Sequence, residues 1–542
     1  MTSTQRNILW LVAAGSALIF LLYPFVVGIV GFDGWIHLNW LDEFTSLVRQ
    51  GQWRPRWLPD AFSGFGSPAF YFYSPIVYYL AAIISFTGIH SAVCLYYIIA
   101  FASIGFSYCF IVKYLKAIGV DTTRRLYGLL YAVNPYVLVN FYIRNALAEL
   151  AAFVLLPLVL LVVHKLITSQ DDTLRSVLKL TALFALLLLL HLPTATICAL
   201  AALFYILSLI GKQKVIRPLS VLAGSCIWAG LIAAFFLMPA AELLPAIHGE
   251  RLTYFIQNGR AALYGIDQLL AHQTGTYVYA QILLLILGFV GALFALKYKK
   301  EGQAEVSRPL HILLVASVIL QVPTFSVLYL IPIVQFNRIA HRWDGVLMMG
   351  IIVLVSHLTL LSKKRTAFSF ALVLPVLTII IAAGYYIRLD KNLSMGGYRG
   401  QRNDSPEYLS AANPNEPKKA QQIFDSLSRI QKPDREMKFP GEINSFYYRV
   451  RVERDSERYS LPLQYFPLWE VEAVEASQVL PTAPDNNGAL KVTVPKGEHT
   501  LHASLREPRT QLIAYAISLV AIAIYGLGCG WMLRKKQSAS RL

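Results

Sequence analysis

Apolar runs of about twenty residues, enough to cross a bilayer core as helix, recur along most of the chain. They lie near 8–31, 92–112, 126–143, 149–167, 176–190, 194–210, 218–245, 278–296, 309–333, 344–361, 367–387 and 510–533. A further run, 68–89, contains Pro68 and Pro75 and belongs to a stretch with six tyrosines between Tyr71 and Tyr97. If it spanned, the basic segments 113–125, 211–217, 297–308 and 362–366 and the C-terminal tail would face away from the N-terminus, against the cytoplasmic preference of Lys and Arg. Taken as interfacial or re-entrant, it leaves about twelve spans with both termini cytoplasmic.

The pattern changes in two places. Behind the first run, Ile36, Trp40, Phe44 and Leu47 recur at helical spacing, and Asp33 and His37, four residues apart, share a face. Near the C-terminus, Gly397 to Lys432 is polar and rich in Pro and Asn. Beyond it residues alternate as strands do, as in Leu490-Lys491-Val492-Thr493-Val494, which predicts a strand, a Pro495-Lys496-Gly497 turn and a second strand over 499–505. The expected fold is an all-α polytopic membrane protein with interfacial helices and a small external β-rich domain. Residues 1–387 form the transmembrane module, with 33–90 as its external helices and loop. Residues 388–508 form the external domain, and 509–542 form a final span and a basic cytoplasmic tail.

Composition agrees with a membrane protein: of 542 residues, 56% are hydrophobic and only 15% charged, against about 25% charged in soluble chains. The net charge of +17 sits in short segments between apolar runs, such as Lys297-Tyr298-Lys299-Lys300 and Lys363-Lys364-Arg365, which orients helices and argues against a nucleic-acid partner. The five cysteines lie inside apolar runs without metal-ligand spacing, so no disulfide framework is expected. The first run lacks a small-residue cleavage site and reads as a retained signal anchor. No P-loop, dinucleotide fingerprint, Gly-x-Ser-x-Gly elbow or zincin motif is present.

The inferred topology gathers Asp33, His37, Asp42, Glu43, Arg144, Glu149, His191, Glu242, Arg338, His341, Arg342 and Asp344 on the external side. Ionisable groups at a membrane boundary are costly unless they meet water, a partner or a substrate. Asp33 is either a general base or a helix N-cap, and His37 either binds substrate or packs at the interface. Arg144 and Glu149 form either a structural ion pair or a pair of substrate contacts. His191, in His191-Leu192-Pro193-Thr194, interrupts a nearly uncharged hairpin, which its proline explains but the histidine does not. Arg338, His341 and Arg342 suit a lipid phosphate, since guanidinium groups fork onto phosphate oxygens, or else pair with headgroups or Asp344. Asp42 and Glu43 read as a solvated face.

A short N-terminus, one span and an external acidic loop with a membrane-lying helix together resemble the GT-C class of integral-membrane glycosyltransferases. The segments Gly51-Gln52-Trp53-Arg54-Pro55-Arg56-Trp57-Leu58-Pro59-Asp60, Gly64-Phe65-Gly66-Ser67-Pro68 and Phe70-Tyr71-Phe72-Tyr73-Ser74-Pro75 are similar to the bacterial membrane family labelled 6-pyruvoyl-tetrahydropterin synthase-related. So are Arg144-Asn145-Ala146-Leu147-Ala148-Glu149, His191-Leu192-Pro193-Thr194 and Leu461-Pro462-Leu463-Gln464-Tyr465-Phe466-Pro467-Leu468-Trp469. The metal-binding pattern of the soluble pterin enzyme is missing, so the label implies no such activity.

The GT-C resemblance implies transfer of a sugar from a polyprenyl-phosphate donor to a glycan, lipid or protein acceptor on the external face of the cytoplasmic (inner) membrane. It assigns catalysis to Asp33, assisted by Glu149. His37 and His191 would orient sugar or acceptor, while Arg144, Arg338, His341 and Arg342 meet the phosphate. No cofactor is required, though the carboxylates could ligate Mg²⁺ or Mn²⁺. The alternative is a transporter or flippase of a lipid-linked saccharide, which calls for paired discontinuous helices.

Overall fold

The computed structural model describes residues 3–27, 33–120, 123–168, 172–209, 215–248, 275–298, 304–321, 340–360, 404–405, 408–413, 415, 417–430 and 445–539, with short pieces between 365 and 376. Within them the chain is mostly helical and carries one antiparallel sheet. Helix α1 (Ser3–Val27) holds the first apolar run, and α2 (Gly34–Arg49) is the expected amphipathic helix behind it. Trp40, Phe44 and Leu47 are buried together with Leu38, Leu41 and Val48, while Ile36 is half-buried. The helix ends where Gly51, at φ +94°, adopts left-handed geometry that side chains disfavour, and its N–H bonds the Val48 carbonyl at 3.0 Å.

The run 68–89 forms two short helices, α3 (Ala69–Phe72) and α4 (Ile76–Ser85), parted at Tyr73-Ser74-Pro75. A helix of ten residues is about 15 Å long, half of a hydrocarbon core. It is too short to span, as the charge pattern required, and it packs against α2 and α5 (Ala92–Ala117).

Two runs expected as continuous spans are broken. In 126–143, α6 (Arg124–Ala132) stops, α7 (Pro135–Leu138) restarts, and a π-turn over Val139–Ile143 ends the segment. The Asn134 side chain accepts the N–H groups of Tyr136 at 2.9 Å and Val137 at 3.2 Å. Pro135 takes the first helical position, where a missing donor costs nothing. Such a signal starts a new helix in the middle of an apolar run. In 218–245, α12 and α13 meet at a 74° bend around Ala233. Their ranges are Ile216–Ile232 and Ala234–Leu243.

Between these breaks α8 (Leu147–Phe153) and α9 (Leu156–Ile167) form one membrane-length unit, followed by α10 (Thr173–Leu190) and α11 (Leu192–Leu207). Helices Gly275–Tyr298, Ala304–Ile319 and Asp344–Leu360 follow, and the last helix is Gln511–Ala539. Among the described residues four segments are long and apolar enough to cross a membrane: Ala92–Ala117, Leu147–Ile167, Thr173–Leu190 and Gln511–Lys535. The bent pair makes a fifth. The runs near 194–210 and 344–361 are present as apolar helices of 16 and 17 residues, Gly275–Tyr298 holds the run near 278–296, and Ala304–Ile319 holds the first part of 309–333; residues 322–333 and most of 367–387 lie outside the described residues.

The expected β-rich module is a five-stranded sheet in the order β1-β5-β2-β3, with β4 also paired to β5. Its strands are β1 (Ser445–Gln464), β2 (Trp469–Ala473), β3 (Gln478–Leu480), β4 (Thr482–Pro484) and β5 (Ala489–Leu505). The expected turn at Pro495-Lys496-Gly497 is instead the middle of β5. β1 is long enough to pair along all of it, and a register shift between Val452 and Ser456 lies opposite Pro495 and Gly497. The strain falls on Gly497, at φ +135°. Helix Pro417–Ile430 precedes the sheet, and its Phe424 ring stacks on Phe65 at 4.3 Å.

The sheet is docked onto the loop that follows α2. Gln464 donates its backbone N–H to the Phe65 carbonyl at 2.6 Å and its side-chain amide to the Gly66 carbonyl at 3.1 Å, and it accepts the Ser410 N–H at 2.9 Å. Trp57, fully buried, meets Trp469 edge-on at 5.1 Å. Gly66, at φ +83°, lies under the Trp57 ring, where a Cβ would stand 2.2 Å from Nε1. The Trp-rich segment 53–68 and the segment 461–469, four hundred positions on, thus form one interface.

Candidate functional site

Asp33 occupies the N-cap position of α2 but makes no side-chain cap hydrogen bond. Its N–H bonds the Arg144 carbonyl at 2.8 Å, and its carboxylate faces Arg144 Nη2 at 3.6 Å, with 40% of the side chain exposed. The π-turn and Asn145, at φ +55°, deliver Arg144 to this point. Arg144 Nη1 donates to Asn140 Oδ1 at 2.7 Å and contacts Glu149 Oε1 at 2.9 Å.

Glu149 is enclosed, with 1% of its side chain exposed. Its Oε1 also accepts the Tyr136 hydroxyl at 2.8 Å, and its Oε2 accepts Arg342 Nε at 2.8 Å. A buried carboxylate is tolerable only when paired and hydrogen-bonded, and two guanidinium groups and a phenol do this. Arg342 uses only Nε among the described residues, so its two terminal nitrogens make no hydrogen bond there. Two cations and two anions therefore balance before any ligand arrives, and Asp33 is the more accessible of the two acids.

Two histidines flank the network. His37 Nδ1 lies 2.7 Å from the Tyr78 hydroxyl, and its ring meets Trp40 and Tyr73 edge-on at 5.9 and 6.0 Å. Burial pushes its pKa down to about 4, Asp33 opposing and Arg144 adding to the shift. His191, at the junction of α10 and α11, sets Nδ1 2.8 Å from the Thr194 hydroxyl. Burial, and then the Arg342 charge, hold it well below the usual imidazole value. Both rings are neutral at pH 7 and can exchange hydrogen bonds without adding charge.

His37 has a measurable consequence. The unfolded chain takes up a proton near pH 6.5 that the folded one refuses until about pH 4. Stability is therefore full above pH 6.5 and falls as pH drops toward 4, by on the order of 3 kcal/mol from this group. Thermal unfolding in detergent across pH 4–8 is expected to show that slope, and His37→Asn to flatten it; an identical slope in the variant would remove His37 as its source.

Of the residues singled out in the sequence, Asp33, Arg144, Glu149 and Arg342 form one network, with His37 and His191 beside it. Arg338 and the His341 side chain lie outside the described residues. Asp344 is buried in the first turn of its helix, and Glu242 accepts the Arg509 and Thr510 N–H groups instead of joining the network. Glu43 is half-buried and accepts the Asp60 N–H at 2.6 Å; burial, then Asp60, raises its pKa well above the usual range.

Tyr136 and Asn140, which hold Glu149 and Arg144, escaped notice because they lie inside an apolar run. Their spacing, eight and four residues ahead of Arg144, is the signal that marks them. Trp40 was assigned only to the apolar stripe, yet its Nε1 donates to Asp404 at 2.8 Å and ties α2 to the segment ahead of the sheet. Among the described residues no three His, Cys, Asp or Glu side chains converge as a metal site.

The chain belongs to the membrane-protein family described as the 6-pyruvoyl-tetrahydropterin synthase related domain, which matches residues 70–390. That span includes Arg144, Glu149, His191 and Arg342; Asp33 precedes it. No curated protein matches the chain. Among solved structures it is similar to the arabinofuranosyltransferase AftD from Mycobacteria, with 16% identity and a TM-score of 0.42 over 71% of this chain. The match takes in 27% of that transferase, so the chain spans about a quarter of its length.

Proposed function

We propose that this protein is a GT-C-type glycosyltransferase that moves a sugar from a polyprenyl-phosphate donor to an acceptor at the external membrane face. The observation that carries the reading is the unequal treatment of two carboxylates on one arginine. Glu149 is consumed by Arg144, Arg342 and Tyr136, whereas Asp33 keeps an accessible edge beside the same guanidinium. A base must reach its proton, and a phosphate clamp must not collapse onto the base. This arrangement meets both needs.

In the proposed reaction the acceptor hydroxyl loses its proton to Asp33 while its oxygen attacks the anomeric carbon. The bond from that carbon to the phosphate oxygen breaks, with inversion, and polyprenyl phosphate leaves. Arg144 and the terminal nitrogens of Arg342 stabilise the growing phosphate charge; Arg338 and His341 are proposed to join them. Glu149 orients both arginines, and neutral His37 and His191 position sugar or acceptor hydroxyls. The proposed topology is about twelve spans with cytoplasmic termini, and the sheet domain stands beside the acceptor.

The broken helices α6/α7 and α12/α13 favour a second reading, transport of a lipid-linked saccharide without bond cleavage. The readings part on one bond. Membranes holding the protein, supplied with polyprenyl-phosphate sugar labelled in the sugar, are expected to release unlabelled polyprenyl phosphate and a labelled acceptor. Donor that crosses the membrane intact, with no product, would replace the transferase by the transporter.

A further inference from the structure

An apolar groove of about 550 Å³ runs between α12 and the last helix, lined by Trp228, Leu231, Ala516, Ile517, Val520 and Ile524. At a rise of 1.5 Å per residue, positions 516–524 lie about 8–20 Å below the start of that helix at Gln511, the depth of one leaflet of hydrocarbon. Beyond the 74° bend at Ala233, α13 packs against the first turns of the last helix, where the Phe235 N–H donates to Ser518 Oγ at 2.9 Å and Glu242 accepts the Thr510 N–H at 2.9 Å. The Trp228 indole donates to the Ala521 carbonyl at 3.1 Å and fixes the floor.

The upper end carries positive charge. Arg54 lies over the Tyr515 ring at 5.6 Å, one residue before the groove wall, and pairs with the exposed Glu507. Arg56 is 5% exposed, yet its contacts are two carbonyls, Phe70 at 3.4 Å and Phe235 at 3.3 Å, and the face of Tyr71. Among the described residues no carboxylate pairs with it. The Phe235 peptide joins it to the groove: its carbonyl also accepts Gln511 Nε2 at 3.2 Å, and its N–H donates to Ser518 Oγ, which bonds the Leu231 carbonyl at 3.3 Å. A guanidinium has five donors, and burying one without an anion is expensive.

We propose that this groove is a binding site for an anionic phospholipid, its phosphate at Arg54 and Arg56 and one acyl chain along Trp228, Ala516 and Val520. An arginine pair at the head of an oily channel matches that shape of ligand; a second copy of this chain would bring hydrocarbon to the groove but no anion to the arginines. The phosphate supplies the charge that Arg56 lacks. The site stands whether or not the protein transfers a sugar, because it uses none of Asp33, Arg144, Glu149 or Arg342.

The test uses the full chain in nanodiscs of equal phosphatidylglycerol and phosphatidylcholine with identical acyl chains, released into mild detergent and weighed by native mass spectrometry. One retained phosphatidylglycerol, favoured at least tenfold over phosphatidylcholine, is expected. Arg54→Gln, at a partly exposed position, should lower that preference severalfold. Ala516→Trp, whose indole fills the groove from an exposed position, should cut retention about tenfold. Inorganic phosphate should not displace the lipid, since the chain supplies much of the binding. No preference for phosphatidylglycerol, full retention in Ala516→Trp, displacement by phosphate alone, or a dimer that Ala516→Trp dissolves would each overturn the proposal.

Discussion

Asn in place of Asp33 is expected to cut sugar transfer by about 10²–10⁴-fold, the range of a lost general base, and to leave the fold intact. The asymmetry follows from the site. The Asp33 carboxylate is 40% exposed, caps nothing and makes one ion pair at 3.6 Å, so its removal should cost no more than about 1 kcal/mol. Its tie to Arg144 through the backbone N–H is untouched by the change. Turnover of labelled polyprenyl-phosphate sugar, measured beside thermal unfolding of the same sample, separates the two effects. Normal turnover in Asp33→Asn would end the role given to it.

Glu149→Gln should do the reverse and strike the fold first. Its two oxygens serve Arg144, Arg342 and Tyr136 at 2.8–2.9 Å with 1% of the side chain exposed. Glutamine takes the counter-charge from Arg342 and leaves Arg144 only Asp33, at 3.6 Å, and breaking a buried pair costs about 3–5 kcal/mol. A large fall in unfolding temperature, with loss of activity following loss of protein, is the expected result. Adding Arg342→Gln should recover part of the stability, because one uncompensated cation is then gone. If Glu149→Gln melts like the wild type while turnover collapses, Glu149 acts in the chemistry and not as the anchor of the arginines.

How much of this was legible depended on whether a residue's partner lay nearby in sequence. The stripe Trp40, Phe44 and Leu47 was visible because a helix repeats every 3.6 residues, and α2 buries all three. The non-spanning character of 68–89 was visible through charge parity, and its two short helices agree. The breaks at Asn134-Pro135 and Ala233 do not show in hydropathy, since a hydropathy window averages over many residues while a helix is broken by one or two. Pro495-Lys496-Gly497 read as a turn by its own propensities, but a twenty-residue partner strand held it extended with a bulge.

Asp33 shows the same division within one side chain. Its residue type and place, directly behind an apolar run, made it a candidate for either a cap or a base, and local pattern could go no further. Tertiary structure set the carboxylate against Arg144, 111 positions away by numbering, and gave Glu149 the enclosed place beside it. By itself the sequence determined the membrane class, the amphipathic helix, the β-rich C-terminal part and the residues able to carry charge at a boundary, because these follow from short-range periodicity and the cost of burying charge. Which acid stays accessible, which arginine leaves its terminal nitrogens without a hydrogen bond among the described residues, and that the segments 53–68 and 461–469 lock together were decided only by the fold, because ion pairs and packing act between groups that the chain brings together from far apart.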